Sequence, residues 1–361
     1  MAAAAAMGCG AGLAVWMPGT TAFPSVTSAG QGTVPALQAL PSAAPARSLP
    51  PPQAVAVPLP SLLAQPSPEA PSPPLPVSAS LSLPPPVAAI ARPSLPPLAA
   101  ESDILARAPR APEALRFAAA PEIMVLQFAS LADQADTLNR AAALLERAGY
   151  PRDRVLDPAE MGRRIRAAGD TPERVYLGHD YRAADLLRFF AVADRTGTPL
   201  TPGEQRLRRL VAEWGWTPGT TAALITLVRD DRAAGLDPAA RATILRHELS
   251  HGLYFTSPAY ARFARLFWAE RLTEAERGRF RTFLASEGYD TGDDDLVVNE
   301  TQAYLMHTAD ARFFNTAVVG IPARRLDALR VLFLSGMPPG WLRDCTAAPV
   351  AAPTAAPGPP R

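Results

Sequence analysis

The chain has 361 residues, a net charge of +1 and a pI near 7.9, with 35 basic side chains, all of them arginine, against 34 acidic ones. That balance excludes a nucleic-acid footprint and a polybasic membrane patch. Two cysteines, Cys9 and Cys345, give neither a zinc–thiolate cluster nor a disulfide framework.

Residues 1–22 are apolar, uncharged and end in Thr20-Thr21-Ala22, which reads as a secretory signal lacking the usual basic start. They are too short and glycine-broken to span a membrane. The expected location is secreted, periplasmic or attached to the cell envelope. Of the 41 prolines, 24 fall in the first 120 residues, and the first 100 residues carry only Arg47, Glu69 and Arg92 as charges. Such a stretch has little apolar surface to offset the entropy of ordering it, so residues 23–116 are expected to be a disordered tether. Residues 121–345 hold 59 charges in 225 positions, the share of a globular domain. One folded domain is therefore expected over 117–345, with a disordered tail at 346–361.

Within that domain, Ile123 to Phe128 reads as a buried strand and Leu131 to Leu145 as a helix with apolar residues three and four apart. Asp157-Pro158-Ala159-Glu160 reads as a helix start with the glutamate reaching back to the cap. Val175-Tyr176-Leu177 reads as a second strand, followed by a helix from Tyr181 to Asp194 that Asp180 caps, with His179 beside it. Thr201-Pro202-Gly203-Glu204 starts a further helix, and residues 221–228 (TAALITLV) form the clearest strand. From Asp237-Pro238 onward the pattern is helical, including an aromatic run, Tyr260, Phe263, Phe267 and Trp268, at core spacing. The last expected helices cover Leu296 to His307 and Ala323 to Leu334. The fold class is α+β and predominantly helical, a small mixed α/β part followed by a helical core.

Chemistry concentrates in the helix after Asp237, which contains His247-Glu248-Leu249-Ser250-His251, the pattern H-E-x-x-H. Residues four apart share a helix face, so both imidazoles can reach one metal ion, and Glu248 can touch a metal-bound water without being a ligand. That is an arrangement for metal-assisted hydrolysis. A catalytic zinc needs a third protein ligand and one open position. No histidine follows in metzincin spacing, since Leu253, Tyr254 and Phe255 come after Gly252.

Downstream, Asn299-Glu300-Thr301-Gln302-Ala303-Tyr304 offers a carboxylate on another helix. Together the two segments, over roughly residues 221–310, resemble the gluzincin metallopeptidases, whose third zinc ligand is a glutamate on a later helix. The resemblance implies a zincin-like core with Zn2+ held by His247, His251 and Glu300, Glu248 as general base, and a peptide or protein as substrate. It also implies that Tyr304 or His307, four and seven residues after Glu300, hydrogen-bonds the oxyanion; core packing is the other reading of Tyr304. Where several relatives place an aspartate to orient a ligand histidine, this chain has Tyr304, leaving Asp180 or Asp310 for that task. The strand at 221–228 would precede the zinc helix as an edge strand does in that family, and either hold an extended peptide or be an ordinary buried strand. The rival from another class is a non-catalytic zinc-binding or protein-interaction module of the cell envelope.

Overall fold

The structure, a computed structural model, describes residues 94–347. The expected signal, most of the tether and nearly all of the tail lie outside the described residues. In chain order the elements are β1 (Leu98–Ala99), α1 (Glu101–Ala106), β2 (Glu113–Phe117), β3 (Ile123–Phe128), α2 (Leu131–Leu145), α3 (Pro158–Ala167), β4 (Asp180–Arg182), α4 (Ala183–Thr196), α5 (Pro202–Glu213) and β5 (Ala223–Val228). The helical part follows with α6 (Pro238–Thr256), α7 (Pro258–Arg271), α8 (Glu274–Ser286), α9 (Asp294–His307), α10 (Thr316–Val319), α11 (Ala323–Gly336) and α12 (Trp341–Ala347). More than half of the described residues are helical. Among them, no helix is long and apolar enough to cross a membrane.

The sheet has five strands in the order β1-β2-β3-β5-β4. It is mixed: β3 runs parallel to β5, whereas β2 on β3 and β4 on β5 are antiparallel. Both β3 and β5 are buried along their whole length, as expected of apolar runs covered on two faces. The β5 strand is therefore internal, and β4 pairs with it from Asp180 opposite Ile225 to Arg182 opposite Ala223. An extended peptide cannot add to β5 along that stretch, which corrects one of the two readings of residues 221–228.

Prolines at the first helical position set four helix starts where the sequence puts them. The N-caps Asp157, Thr201, Asp237 and Ser257 each accept a hydrogen bond from the backbone three residues on. At Thr201 the full capping box forms, and the buried Glu204 also receives the Arg140 guanidinium, with Arg140 Nε at 2.8 Å. Glu160 does not reach back to its cap; it pairs with Arg154 and Arg164 instead. The aromatic run is core, with Phe263 and Phe267 each 4.8 Å from the Phe333 ring.

Three further expectations are corrected. The folded domain begins before residue 117, because β1, α1 and β2 precede it. Ile104 and Leu115 are fully buried there, Gln127 donates to the Ile104 carbonyl at 2.8 Å, and Arg246 pairs with Glu101 at 2.7 Å. Proline and alanine content hides this segment, which nevertheless puts Ile104 and Leu115 into the core. Val175-Tyr176-Leu177 is buried but is not a strand; the strand lies at Asp180–Arg182, where backbone pairing to β5 is available. The next helix accordingly starts at Ala183 with Arg182 as N-cap, so Asp180 is not a cap.

Since the core closes within the described residues, a chain of residues 94–347 is expected to unfold in one cooperative transition followed by circular dichroism. Starting the chain at 117 removes the side chains of Ile104 and Leu115, each a loss of about 2–5 kcal/mol on the scale of large-to-alanine core changes. That shorter chain is expected to lose its cooperative melt.

Candidate metal centre

Three elements converge on one buried point. On α6, His247 and His251 lie one turn apart, with ring centroids 4.7 Å from each other. The helix can lie against β3 because residue 252 is glycine: a Cβ there would stand 2.8 Å from Ile123 Cδ1. From α9, Glu300 places Oε2 3.8 Å from His247 Nε2 and 3.7 Å from His251 Nε2. Four-coordinate zinc with bonds of about 2.0–2.1 Å has ligand atoms about 3.4 Å apart, so these spacings lie within a few tenths of an ångström of a metal-binding set.

The register of α9 against α6 is held by a chain of side-chain hydrogen bonds. Tyr260 Oη donates to Gln302 Oε1 at 2.6 Å, Gln302 Nε2 donates to Ser250 Oγ at 3.2 Å, and Ser250 Oγ donates to the His247 carbonyl at 2.7 Å. Ser250 and Gln302 sit in the two motif segments, and their polarity gave no hint that they would pair.

His247 is oriented by neither Asp180 nor Asp310. Its Nδ1 lies 2.7 Å from Thr308 Oγ1, whose own proton goes to the Ala303 carbonyl at 3.1 Å. The hydroxyl therefore accepts from Nδ1–H, which leaves the Nε2 lone pair facing Glu300 and free for a metal. Asp310 is turned away and paired with Arg312 at the surface. Thr308 follows the end of α9, and no spacing rule connects it to residue 247.

The third element is the segment entering β4. Thr226 fastens it, donating its backbone N–H to the His179 carbonyl and accepting from His179 N on Oγ1, both at 2.9 Å. Gly178 lies so close to Glu248 that an added Cβ would stand 2.2 Å from Oε1. Any larger residue would displace the carboxylate of the expected base. Asp180 turns inward and puts Oδ2 3.8 Å from His251 Nε2. His179 is buried with Nδ1 3.0 Å from Tyr181 Oη.

Of the remaining two expected residues, Tyr304 borders this point and His307 turns to other partners. Tyr304 is a core residue whose ring stands edge-on to His247, with 4.8 Å between centroids, and packs on Phe283 and Phe314. His307, two turns beyond Glu300, is about 10 Å further along the helix axis. Its ring nitrogens face Tyr260 Oη at 3.3 Å and Thr346 Oγ1 at 3.4 Å instead.

Electrostatically the cluster is starved of positive charge. His247, Glu248 and His251 are fully buried and Glu300 is 1% exposed. Burial, then His251 and His307, hold the His247 pKa well below its usual range, keeping it in the neutral form that ligates metals. Burial raises Glu248 well above the ordinary carboxylate range, and Asp180, Glu300 and Glu146 raise it further. Glu300 is raised by burial and then by Asp180 and Glu146, while a hydrogen bond with Tyr289 draws it back. Among the described residues, no donor apart from Tyr289 meets the Glu300 oxygens, and both Glu248 oxygens, His247 Nε2 and both His251 nitrogens have no hydrogen-bond partner. Buried polar atoms are ordinarily paired. So many orphans on convergent ligand types fit a bound metal ion, and these buried His, Glu and Asp groups can hold one.

Compared with known proteins, the chain matches no family model, no curated protein and no solved structure. The likeness to gluzincins thus rests on residues 247–251 and 299–304 alone.

The full chain is expected to take up one divalent transition-metal ion. Thr308→Val should weaken uptake about 10–100-fold, the range for losing a partner that orients a ligand histidine. Asp310→Ala should leave it unchanged. Competition against a chromogenic chelator measures both, with circular dichroism confirming an unaltered fold.

Proposed function

We propose that this chain is a zinc-dependent hydrolase of peptide bonds, of the gluzincin type. The observation that supports this most is the convergence of His247, His251 and Glu300 beside Glu248, a residue that a purely structural site does not need. His247 and His251 present imidazole nitrogens, and Glu300 supplies the carboxylate ligand from α9. A zinc ion held there would supply Lewis acidity, polarising a carbonyl and acidifying a water molecule. Glu248 takes a proton from the attacking water and delivers it to the departing amine. Thr308 fixes the His247 tautomer, and Tyr304 braces the His247 ring. Zinc is the metal of choice because two imidazoles and one carboxylate on a rigid scaffold form the donor set of hydrolytic zinc sites. The apolar residues 1–22 support a place outside the cytoplasm, secreted or in the envelope, where peptides and proteins would be the substrates.

The second reading, a non-catalytic zinc-binding module of the cell envelope, is favoured by one specific observation. All four residues of the site are closed off from solvent, with Gly178 against Glu248.

Glu248→Gln separates the two readings, since it keeps size and hydrogen bonding but removes the proton acceptor. Zinc stoichiometry is expected to stay at that of the parent, while turnover of a mixed peptide library falls by about 10²–10⁴, the usual share of general-base catalysis. His247→Ala should lose both zinc and turnover. Hydrolysis that survives Glu248→Gln unchanged excludes this mechanism.

A further inference from the structure

The three-ligand centre accounts for His247, His251 and Glu300 and leaves other ligand atoms of the same cluster unexplained. Glu248 is fully buried, and neither of its oxygens has a hydrogen-bond partner among the described residues. Asp180, 7% exposed, puts Oδ2 3.8 Å from His251 Nε2. Asp180, Glu248 and His251 form a group of their own, with ligand atoms all within 4.8 Å of one another, beside the group of His247, His251 and Glu300. Buried polar atoms are ordinarily paired. A sealed carboxylate without a donor, facing a second carboxylate and an unpartnered imidazole, calls for a cation.

The two groups meet at His251. Its Nε2 stands 3.8 Å from Asp180 Oδ2 and 3.7 Å from Glu300 Oε2, and that nitrogen has a single lone pair. An ion on one side therefore takes it from the other. The donors also differ. His247, His251 and Glu300 offer two imidazoles and one carboxylate, whereas Asp180, Glu248 and His251 offer one imidazole and two carboxylates, the set more suited to manganese(II). Of these five residues only Asp180 lines the surface cleft it shares with Glu146, Arg182 and Asp185, which gives its side of the cluster a route from solvent.

We propose that Asp180, Glu248 and His251 form a second position for a divalent cation, richer in carboxylate than the zinc position and exclusive of it because His251 serves both. An ion there makes Glu248 a ligand, so it could not serve as a base at the same time. The position stands on the cluster's geometry and is independent of whether peptides are hydrolysed.

The test titrates the full chain, freed of metal, with manganese(II) followed by electron paramagnetic resonance, and separately with zinc(II) against a chromogenic chelator. The parent is expected to bind one manganese, which one equivalent of zinc releases. Asp180→Ala should bind manganese at least about 10–100-fold more weakly, since even an outer partner of a ligand is worth that much, while its zinc affinity falls far less. His247→Ala should do the reverse, losing tight zinc and keeping manganese at the parent's affinity. Asp180→Asn, nearly the same shape without the charge, gives the same comparison should the alanine variant misfold, and the displacement by zinc needs no variant. A parent that binds no manganese, manganese affinity unchanged in the Asp180 variants, or manganese lost with His247→Ala overturns the second position. One zinc and one manganese bound together overturns its exclusivity. Manganese bound through Asp180 by a parent that takes up no zinc upholds this position and overturns the three-ligand centre instead.

Discussion

The structure depends on burying several acids beside one another. Glu146, Asp180, Glu248 and Glu300 occupy one region, and burial raises the pKa of all four. Asp180 pushes each of the other three up further. The effective penalty for sealing an ion from water is several kcal/mol even after relaxation, and a well-placed opposite charge is what offsets it. Arg152 and Arg182 offset the rise at Glu146 and Asp180 only in part, and each pairs with another acid. Arg182 reaches out to Asp295 at 2.6 Å, and Arg152 pairs with Asp290 at 2.8 Å. Two histidines facing three of these carboxylates describe a cage for a cation. Every element that touches it, α6, α9 and β4, is held by hydrogen bonds that fix its register rather than by apolar packing alone.

How much of this a sequence can show depends on the distance over which the relevant periodicity acts. His247 and His251 are legible because four residues on a helix return to the same face, a local rule that no tertiary contact overrides. The helix starts at Pro158, Pro202, Pro238 and Pro258 are legible for the same reason: proline and its cap act within one turn. Glu300 becomes visible only through the likeness of its segment to a known family, since nothing local ties it to residue 247. Thr308 and Gly178 are invisible, because each acquires its role from an element more than 60 residues away. Asp180 was assigned to the wrong task by a sound local rule. An aspartate before an apolar helix is a good cap, but pairing with Ile225 turned residues 180–182 into a strand and moved the helix start to Ala183.

Composition understates the structure at the start of the domain. Proline-rich composition is a sound sign of poor core-forming capacity over long stretches. It says little about short ones, where a few large side chains decide. Ile104, Leu115 and Phe117 provide a small cluster, and Arg241 holds it by donating to the carbonyls of Leu105 and Val228. That arginine sits in the first turns of α6. The segment before residue 117 is thereby part of what anchors the helix carrying both histidines.

The same short strand closes two openings at once. β4 covers the edge of β5 over Ala223 to Ile225, which is where an extended chain would otherwise add. Its first residue also places a carboxylate beside His251, and the glycine two positions earlier lies on Glu248. Strand edge and metal site are therefore coupled geometrically: residues 178–182 cannot move away from one without uncovering the other. Only three backbone pairs and the Thr226 bonds hold this segment to β5, whereas β3 is paired with β5 over six residues on the opposite side. By strand length alone, β4 is the weaker of the two attachments, and the sheet would survive its detachment with β5 becoming the edge. A buried site is thus covered by a strand that is paired over only three residues.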